Sequence, residues 1–239
     1  SPTSQSPVRE TPAEKLPAPF QDLTCPPTVT TKLFGELETQ ALKSNPGHPF
    51  GLQRYIDHAE KAGCKRGMWS KIDNKQHVDI TRTMMRVLGL KRGDQVYDWG
   101  SGCGDTLGWM HEWEGIHGFG VELVSSAVQY AKATYKEPVF CAGNAADYSA
   151  IPDNRFDHAL AFGTIYHLAT EAAVCNAVLG MVRIVKPGGR VLISYNDVNT
   201  IPNDASRWAK CLGDAADVKL MSDTEVYGAA MIPYKDEGY

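Results

Sequence analysis

Three glycines alternate with other residues at Gly100, Gly102 and Gly104, directly after an apolar run that ends at Trp99. Glycine tolerates positive φ and lets a ligand approach the backbone closely. A helical pattern starts at Asp105, and the first backbone N–H groups of a helix have no partners within it. The segment therefore predicts a strand, a tight loop and a helix that together cradle a ligand.

An acidic residue, Glu122, ends the next apolar run about twenty residues after this loop. In parallel α/β sheets an acid at this place accepts hydrogen bonds from both hydroxyls of a ribose. The two features together predict a cofactor that contains adenosine. The alternative is an ordinary strand-to-helix turn followed by a solvated carboxylate.

The spacing of the glycines distinguishes two classes of cofactor. A dinucleotide fingerprint that begins at Gly100 requires glycine at the position of Asp105, so a dinucleotide oxidoreductase is disfavoured. The order of Asp98 and the three glycines instead resembles motif I of class I S-adenosylmethionine-dependent methyltransferases, (D/E)-x-G-x-G-x-G. Every fixed position of that motif is met.

The resemblance extends over about residues 95–195. Residues 143–157 are similar to the family segment G-D-A-x-x-L-P-F-x-D-x-x-F-D, in which the acid faces the adenine, although this chain has Asn144 at that position. An amide oxygen also accepts a hydrogen bond from the adenine amino group. Residues 185–192 are similar to the family turn L-K-P-G-G-x-L-L before the fifth strand.

The resemblance implies S-adenosylmethionine as the cofactor and S-adenosylhomocysteine as the product. It places Asp98 and the glycine loop around the methionine part, Glu122 at the ribose, and Asn144 with Ala145 at the adenine. The residues expected to contact the cofactor are Asp98, Gly100, Ser101, Gly102, Gly104, Glu122, Leu123, Asn144, Ala145 and Phe162.

Residues 163–168 follow the fourth predicted strand and resemble a segment of the branch that includes ubiquinone and menaquinone methyltransferases. Tyr166 and His167 lie in this segment, at the sheet edge where α/β proteins have their active crevice. An imidazole titrates near neutral pH, so His167 is a candidate general base, with Tyr166 as a second catalytic candidate. A structural role for both residues is the alternative.

Substrate selection is expected from helices before the core, which in this family commonly fold over the cofactor as a lid. The candidate substrate residues are Trp69, Lys71, Asn74, His77 and Tyr195.

Two absences narrow the reaction. The (D/N)-P-P-(Y/F) motif of enzymes that methylate DNA bases or protein glutamine is missing at residues 163–166, which disfavours a nucleic-acid partner. A metal-dependent catechol-type enzyme would have an Asp after the fourth strand and an Asp-Asn pair after the fifth. The first acid is missing here and the pair has the order Asn196-Asp197, so no metal is expected. We therefore expect a small-molecule acceptor, with nitrogen or oxygen favoured over carbon. A protein acceptor and a catalytically silent cofactor-binding scaffold are the alternatives.

The rest of the chain must position these residues. Short apolar runs alternate with helical patterns, which predicts parallel βαβ units. The resemblance implies a three-layer Rossmann-like sandwich with seven mostly parallel strands, of which the last is antiparallel. The predicted strands are 95–99, 118–123, 139–141, 157–162 and 190–195, the helices 105–113, 125–135 and 170–185, and a closing hairpin 218–221 with 229–234.

The composition changes before the core. Residues 1–27 are rich in Pro, Ser and Thr and lack apolar periodicity, which indicates a disordered or linker-like tail. Residues 28–90 are predicted to form a helical cap that is interrupted by a loop over residues 65–76. Residues 91–239 are the expected cofactor-binding core.

The composition of the 239 residues, 43% hydrophobic with a net charge of −4, is that of an ordinary globular protein without general attraction for nucleic acid or anionic membranes. Six scattered cysteines without a CxxC pair predict free thiols. With no apolar run of membrane-spanning length and no N-x-S/T sequon, we expect a cytoplasmic protein. A trimmed targeting segment or anchor before Ser1 is compatible with this expectation, and the oligomeric state is open.

Overall fold

The computed structural model describes residues 16–28, 63–64, 74–165, 168, 170–194, 205–217, 219 and 221. Five strands form one parallel sheet in the order β3-β2-β1-β4-β5. The strand order reverses between β1 and β4, which is where doubly wound sheets bind ligands. The elements are α1 (Asn74–Leu88), β1 (Gln95–Trp99), α2 (Asp105–Glu114), β2 (His117–Glu122), α3 (Ser125–Thr134), β3 (Val139–Ala142), β4 (Phe156–Ala161), α4 (Glu171–Ile184), β5 (Val185–Ile193), α5 (Ala205–Leu212) and a 3-10 turn (Gly213–Ala215).

Successive side chains of a strand point to opposite sides of the sheet. Both sets include buried apolar residues here, and helices cover both faces. Val96 packs in the core that α1, α2 and α3 form on one face. Tyr97 and Trp99 pack in the core that includes α4 and α5 on the other face. The α/β Rossmann-like fold is thus confirmed. The closing hairpin expected at residues 218–221 and 229–234, and with it the antiparallel last strand, falls almost entirely outside the described residues.

Most predicted elements agree with the structure to within a few residues. β1 has the predicted bounds, and α4 begins after Thr170, whose side chain caps the helix by accepting a hydrogen bond from the Ala173 N–H at 3.1 Å. The predicted loop over residues 65–76 overlaps α1, which already begins at Asn74. Residues 65–73 of that loop lie outside the described part of the chain.

The start of β5 differs from the prediction. The strand begins at Val185, which pairs with Phe156, and not at Arg190, which pairs with His158. The extra residues of β5 between these two pairs form a bulge that contains Gly188 at φ 83°. The prediction was wrong because proline and glycine usually end a strand, whereas a β-bulge accommodates them.

Residues 16–28 pack against the core although they form no helix or strand. Leu16, Phe20 and Leu23 are buried, and the ring of Phe20 lies 5.4 Å from that of Phe119 between centroids. The prediction of a tail is therefore wrong for residues 16–27. Three apolar side chains among prolines give no periodic signal, yet they are enough to cover part of the sheet.

Arg155 holds this segment in place. It donates hydrogen bonds to both carboxylate oxygens of Asp22 at 2.7 and 2.8 Å and to the Pro19 carbonyl at 2.8 Å. Its guanidinium also lies 5.5 Å from the centre of the Phe20 ring. The segment thus has a charged anchor beside its apolar one.

We expect Arg155→Ala to lower the free energy of unfolding by about 1–3 kcal/mol, because the Asp22 carboxylate and the Pro19 carbonyl lose a charged donor whose own side chain is mostly buried. Denaturant titration measures this change. Arg207→Ala is the control, since it removes only an exposed ion pair with Glu171 and should cost less than about 0.5 kcal/mol. Equal losses in the two variants would contradict the anchoring role of Arg155.

All six cysteines form disulfides, namely Cys25–Cys141, Cys64–Cys103 and Cys175–Cys211. The prediction of free thiols is therefore wrong. The partners are 116, 39 and 36 residues apart in the sequence, so no local spacing indicates them. Only the fold brings each pair to a Cα separation of 5.3–5.7 Å, within the range that disulfides require.

Candidate cofactor site

The glycine loop connects β1 to α2 at the carboxyl edge of the sheet. Its backbone has positive φ at Gly100 (78°), Gly102 (54°) and Gly104 (83°). Gly104 is the N-cap of α2 and supplies no side-chain acceptor to the first turn of the helix. The loop therefore presents backbone and the N-terminus of α2 to the crevice, as the sequence predicts.

Close packing makes glycine necessary at two positions of this loop. A Cβ atom at Gly100 would lie 2.6 Å from Cγ2 of Thr164, in the segment after β4. A Cβ atom at Gly104 would lie 2.7 Å from Cζ of Phe140 and 2.8 Å from Cβ of Ala131. The loop thus packs closely against β3, α3 and the segment that follows β4.

Glu122 joins the glycine loop directly. Its carboxylate is buried and accepts hydrogen bonds from the backbone N–H groups of Gly102 and Val124, each at 2.9 Å. Burial raises the pKa of Glu122, although these backbone hydrogen bonds oppose the shift. A carboxylate has about four acceptor positions, so the backbone hydrogen bonds leave acceptor capacity for a ribose hydroxyl.

Asp98 is a second buried carboxyl group at the end of β1, with 3% of its surface exposed. Burial, and then the charge of Glu122, raise the pKa of Asp98 to about 8. Two buried acids that oppose each other's ionisation are stabilised by a cation. S-adenosylmethionine carries positive charge on its sulfonium and amino groups beside a ribose, so the donors and acceptors of this site fit it.

The segments that follow β1, β4 and β5 are bound to one another at this edge. The Thr164 hydroxyl donates to the carbonyl oxygen of Trp99 at 2.9 Å, and the Gly163 N–H donates to the Ser194 hydroxyl at 2.6 Å. Phe162 is partly buried against the core on the α1–α3 face. Sequence reasoning did not single out Thr164, because its role depends on a contact with Gly100 that only the fold creates.

The predicted adenine edge follows β3. The Asn144 side-chain oxygen accepts a hydrogen bond from the Ala146 N–H at 3.0 Å, and the carbonyl of buried Ala145 accepts one from the Tyr97 hydroxyl at 2.9 Å. Gly143 lies against Pro26, so the 16–28 segment borders this edge. One Asn144 oxygen lone pair and its amino group remain for a ligand.

Ser101 lies on the β2 side of the loop and Leu123 follows Glu122. A Cβ atom at Gly120 would come within 2.6 Å of the Ser101 side chain, whose buried hydroxyl has no partner among the described residues. Leu123 is partly exposed. The predicted contacts of both residues with the cofactor stay predictions.

The predicted catalytic and substrate residues are mostly outside the described part of the chain. This holds for Tyr166, His167, Trp69, Lys71 and Tyr195. Asn74 is the first residue of α1.

His77 lies in α1 and packs against α2. Its Nε2 atom lies 3.3 Å from the Thr106 hydroxyl, and its ring centroid lies 4.8 Å from that of Trp109. Burial lowers the pKa of His77, although the charge of Asp105 opposes the shift. The imidazole thus supports the helix that follows the glycine loop, and its contact with a substrate stays a prediction.

Comparison with known proteins relates this part of the chain to methyltransferases. The sequence model of a family described as a methyltransferase domain matches residues 97–193. The phosphoethanolamine N-methyltransferase of Triticum aestivum is 31% identical over 121 residues, which are 49% of this chain and 23% of that protein. Phosphoethanolamine N-methyltransferase 1 of Zea mays is 26% identical over 163 residues, 64% of this chain and 31% of that protein. The chain therefore matches less than a third of the length of these curated relatives.

Among solved structures, a TehB-like methyltransferase from Corynebacterium glutamicum superposes with a TM-score of 0.53 at 18% identity. The match covers 68% of this chain and 83% of the other. The family match, together with the fold and the glycine loop, assigns residues 97–193 to the class of S-adenosylmethionine-dependent methyltransferases. The chain contains a class I methyltransferase domain, for which S-adenosylmethionine is the cofactor.

No helix within the described ranges has the length and apolar character needed to cross a membrane.

Proposed function

We propose that this chain catalyses methyl transfer from S-adenosylmethionine to a small-molecule acceptor through nitrogen or oxygen. The observation that carries the proposal is the hydrogen bond between the Glu122 carboxylate and the Gly102 N–H. This hydrogen bond places the glycine loop and the acid, both of which an adenosyl ligand requires, in the same site. The names of the curated relatives specify N-methylation of phosphoethanolamine, which favours an amine nitrogen.

The residues of the chain would divide the work as follows. The glycine loop and the α2 N-terminus surround the amino-acid part of the ligand. Glu122 accepts hydrogen bonds from the ribose hydroxyls, and Asp98 balances the positive charge of the sulfonium and amino groups. When bound, S-adenosylmethionine supplies an electrophilic methyl group on a sulfonium. The protein must then hold the nucleophile in line with that group and exclude water.

A general base is needed only for some acceptors. An amine brings its own lone pair once it is neutral, whereas a hydroxyl must lose its proton in or before the transition state. We assign this role to His167, with Tyr166 beside it in the sequence. The dependence of the rate on pH in His167→Ala, compared with the unaltered chain, separates a base from a structural histidine.

Thermal unfolding with three ligands tests the proposal. S-adenosylmethionine or S-adenosylhomocysteine at a hundred times its dissociation constant should stabilise the fold by about 2.7 kcal/mol, and NAD should not. Stabilisation by NAD alone would overturn the assignment. Methylation is measured by product mass over a panel of amine, alcohol and protein acceptors. Cofactor binding without methylation of any of them would favour a silent scaffold. A methylated protein as the product would favour the alternative of a protein acceptor.

The compartment is a separate question. The sequence predicts the cytoplasm, but three disulfides count against it, because cytosolic reductants keep thiols reduced.

We expect Glu122→Gln to weaken binding of S-adenosylhomocysteine about ten- to a hundredfold, because a charged acceptor of ribose hydroxyls becomes neutral. Isothermal titration calorimetry measures the affinity. Glu137→Gln, an exposed position after α3, is the matched control and should bind as the unaltered chain does. If Glu122→Gln remains folded and binds with unchanged affinity, Glu122 does not hold the ribose.

A further inference from the structure

One disulfide ends inside the cofactor loop. Cys103 lies between Gly102 and Gly104 and is buried, and it is bonded to Cys64, which precedes α1. The two Cα atoms are 5.7 Å apart, although 39 residues separate the cysteines in the sequence. The bridge therefore fixes a residue from before the core against the loop that holds the cofactor.

The surroundings of this bridge belong to the same site. Cys103 packs with Val124 and Ala127, and half-buried Cys64 and Tyr130 lie against this cluster. Val124 is also the residue whose N–H donates to the Glu122 carboxylate. The bridge thus sits where the glycine loop, the end of β2 and the start of α3 meet.

We propose that the Cys64–Cys103 disulfide is a positioning element of the cofactor site, so that tight cofactor binding requires the oxidised chain. The inference rests on the proposed function. Each of the glycines around Cys103 has unusual backbone freedom, and a free loop loses that freedom when a ligand binds. A covalent link to Cys64 restricts the loop beforehand, which leaves less entropy to be lost on binding.

The other two disulfides are attached elsewhere. Cys175–Cys211 joins α4 to α5, and both of its cysteines pack against the core on the opposite face of the sheet from α1–α3. Cys25–Cys141 joins the 16–28 segment to β3. Neither ends within the glycine loop, so Cys175–Cys211 provides a control that changes the covalent framework without touching that loop.

The reaction that opens the bridge is simple to balance. A dithiol reductant gives two electrons and two protons, the bond between the two sulfur atoms breaks, and the reductant becomes a cyclic disulfide. The products on the protein are the thiols of Cys64 and Cys103. An oxidising compartment would keep the bridge closed.

Titration calorimetry of the full chain with S-adenosylhomocysteine tests the proposal. We expect Cys64→Ser to bind at least about tenfold more weakly than the oxidised chain, and Cys175→Ser, which also leaves one free thiol, to bind within about twofold of it. Unchanged affinity in Cys64→Ser would overturn the proposal, as would equal losses in both variants. Absence of binding to the oxidised, unaltered chain would instead refute the proposed function.

A second measurement decides the matter if Cys64→Ser does not fold. The unaltered chain is reduced in steps with dithiothreitol, alkylated, and mapped by peptide mass, while affinity is measured on a parallel sample before alkylation. The loss of affinity should follow the opening of Cys64–Cys103 and should be reversed by reoxidation. Full affinity in molecules whose Cys64–Cys103 bridge is open would contradict the proposal.

Discussion

Gly104→Ala should weaken cofactor binding by about a hundredfold and lower the free energy of unfolding by about 2–5 kcal/mol. Two costs add at this position. An alanine at φ 83° is strained by about 1–2 kcal/mol, and its Cβ would lie 2.7 Å from the Phe140 ring and 2.8 Å from Ala131. The loop must move to relieve the overlap, and it then loses its place beside Glu122.

Gly188→Ala separates the two costs. Gly188 has the same φ of 83°, but within the described part of the chain no atom beyond its two sequence neighbours lies within 4 Å of the position that its Cβ would take. This variant should lose only about 1–2 kcal/mol of stability and bind S-adenosylhomocysteine normally. Chemical denaturation and calorimetry on both variants measure the difference. If the two variants behave alike, packing around Gly104 contributes nothing and backbone strain alone explains the glycine.

The core and its cofactor loop were predictable because their signals are local. Strand β1, the alternating glycines and the capped start of α4 each depend on residues within a few positions of one another. Glu122 was predictable because β1 and β2 are neighbouring parallel strands of similar length, so their carboxyl ends meet at one edge.

The features that sequence reasoning missed depend on distant partners. The contact of Thr164 with Gly100 joins segments that only the sheet brings together. Cys64 and Cys103 have no motif spacing, and Phe20 lies in a segment whose few apolar residues have no period. Each is specified by packing in three dimensions, which hydrophobic periodicity does not encode.

Ionisation of Asp98 has opposite effects on stability and on cofactor binding. It lowers the free energy of unfolding of the free protein and favours the binding of a cation. The pKa of Asp98 is raised from 3.8 to about 8, so the folded chain holds a proton that the unfolded chain releases. The stabilising effect is complete below pH 4 and is lost as the pH rises to about 8. At higher pH the free protein therefore carries a destabilising buried carboxylate, and a bound cation offsets that cost.

Asp98→Asn should reveal this exchange. The unfolding free energy of the variant, minus that of the unaltered chain, should rise by up to about 1.4 kcal/mol per pH unit between pH 5 and 8 and then level off. Any constant cost of the buried amide cancels in this slope. The same variant should bind S-adenosylhomocysteine at least about tenfold more weakly, because the amide no longer balances the charge of its amino group. Asp153→Asn, at an exposed position, is the control that should show neither effect. A free-energy difference that is independent of pH between 5 and 8 would mean that folding does not raise the pKa of Asp98, and a bound cation would then have no destabilised carboxylate to offset.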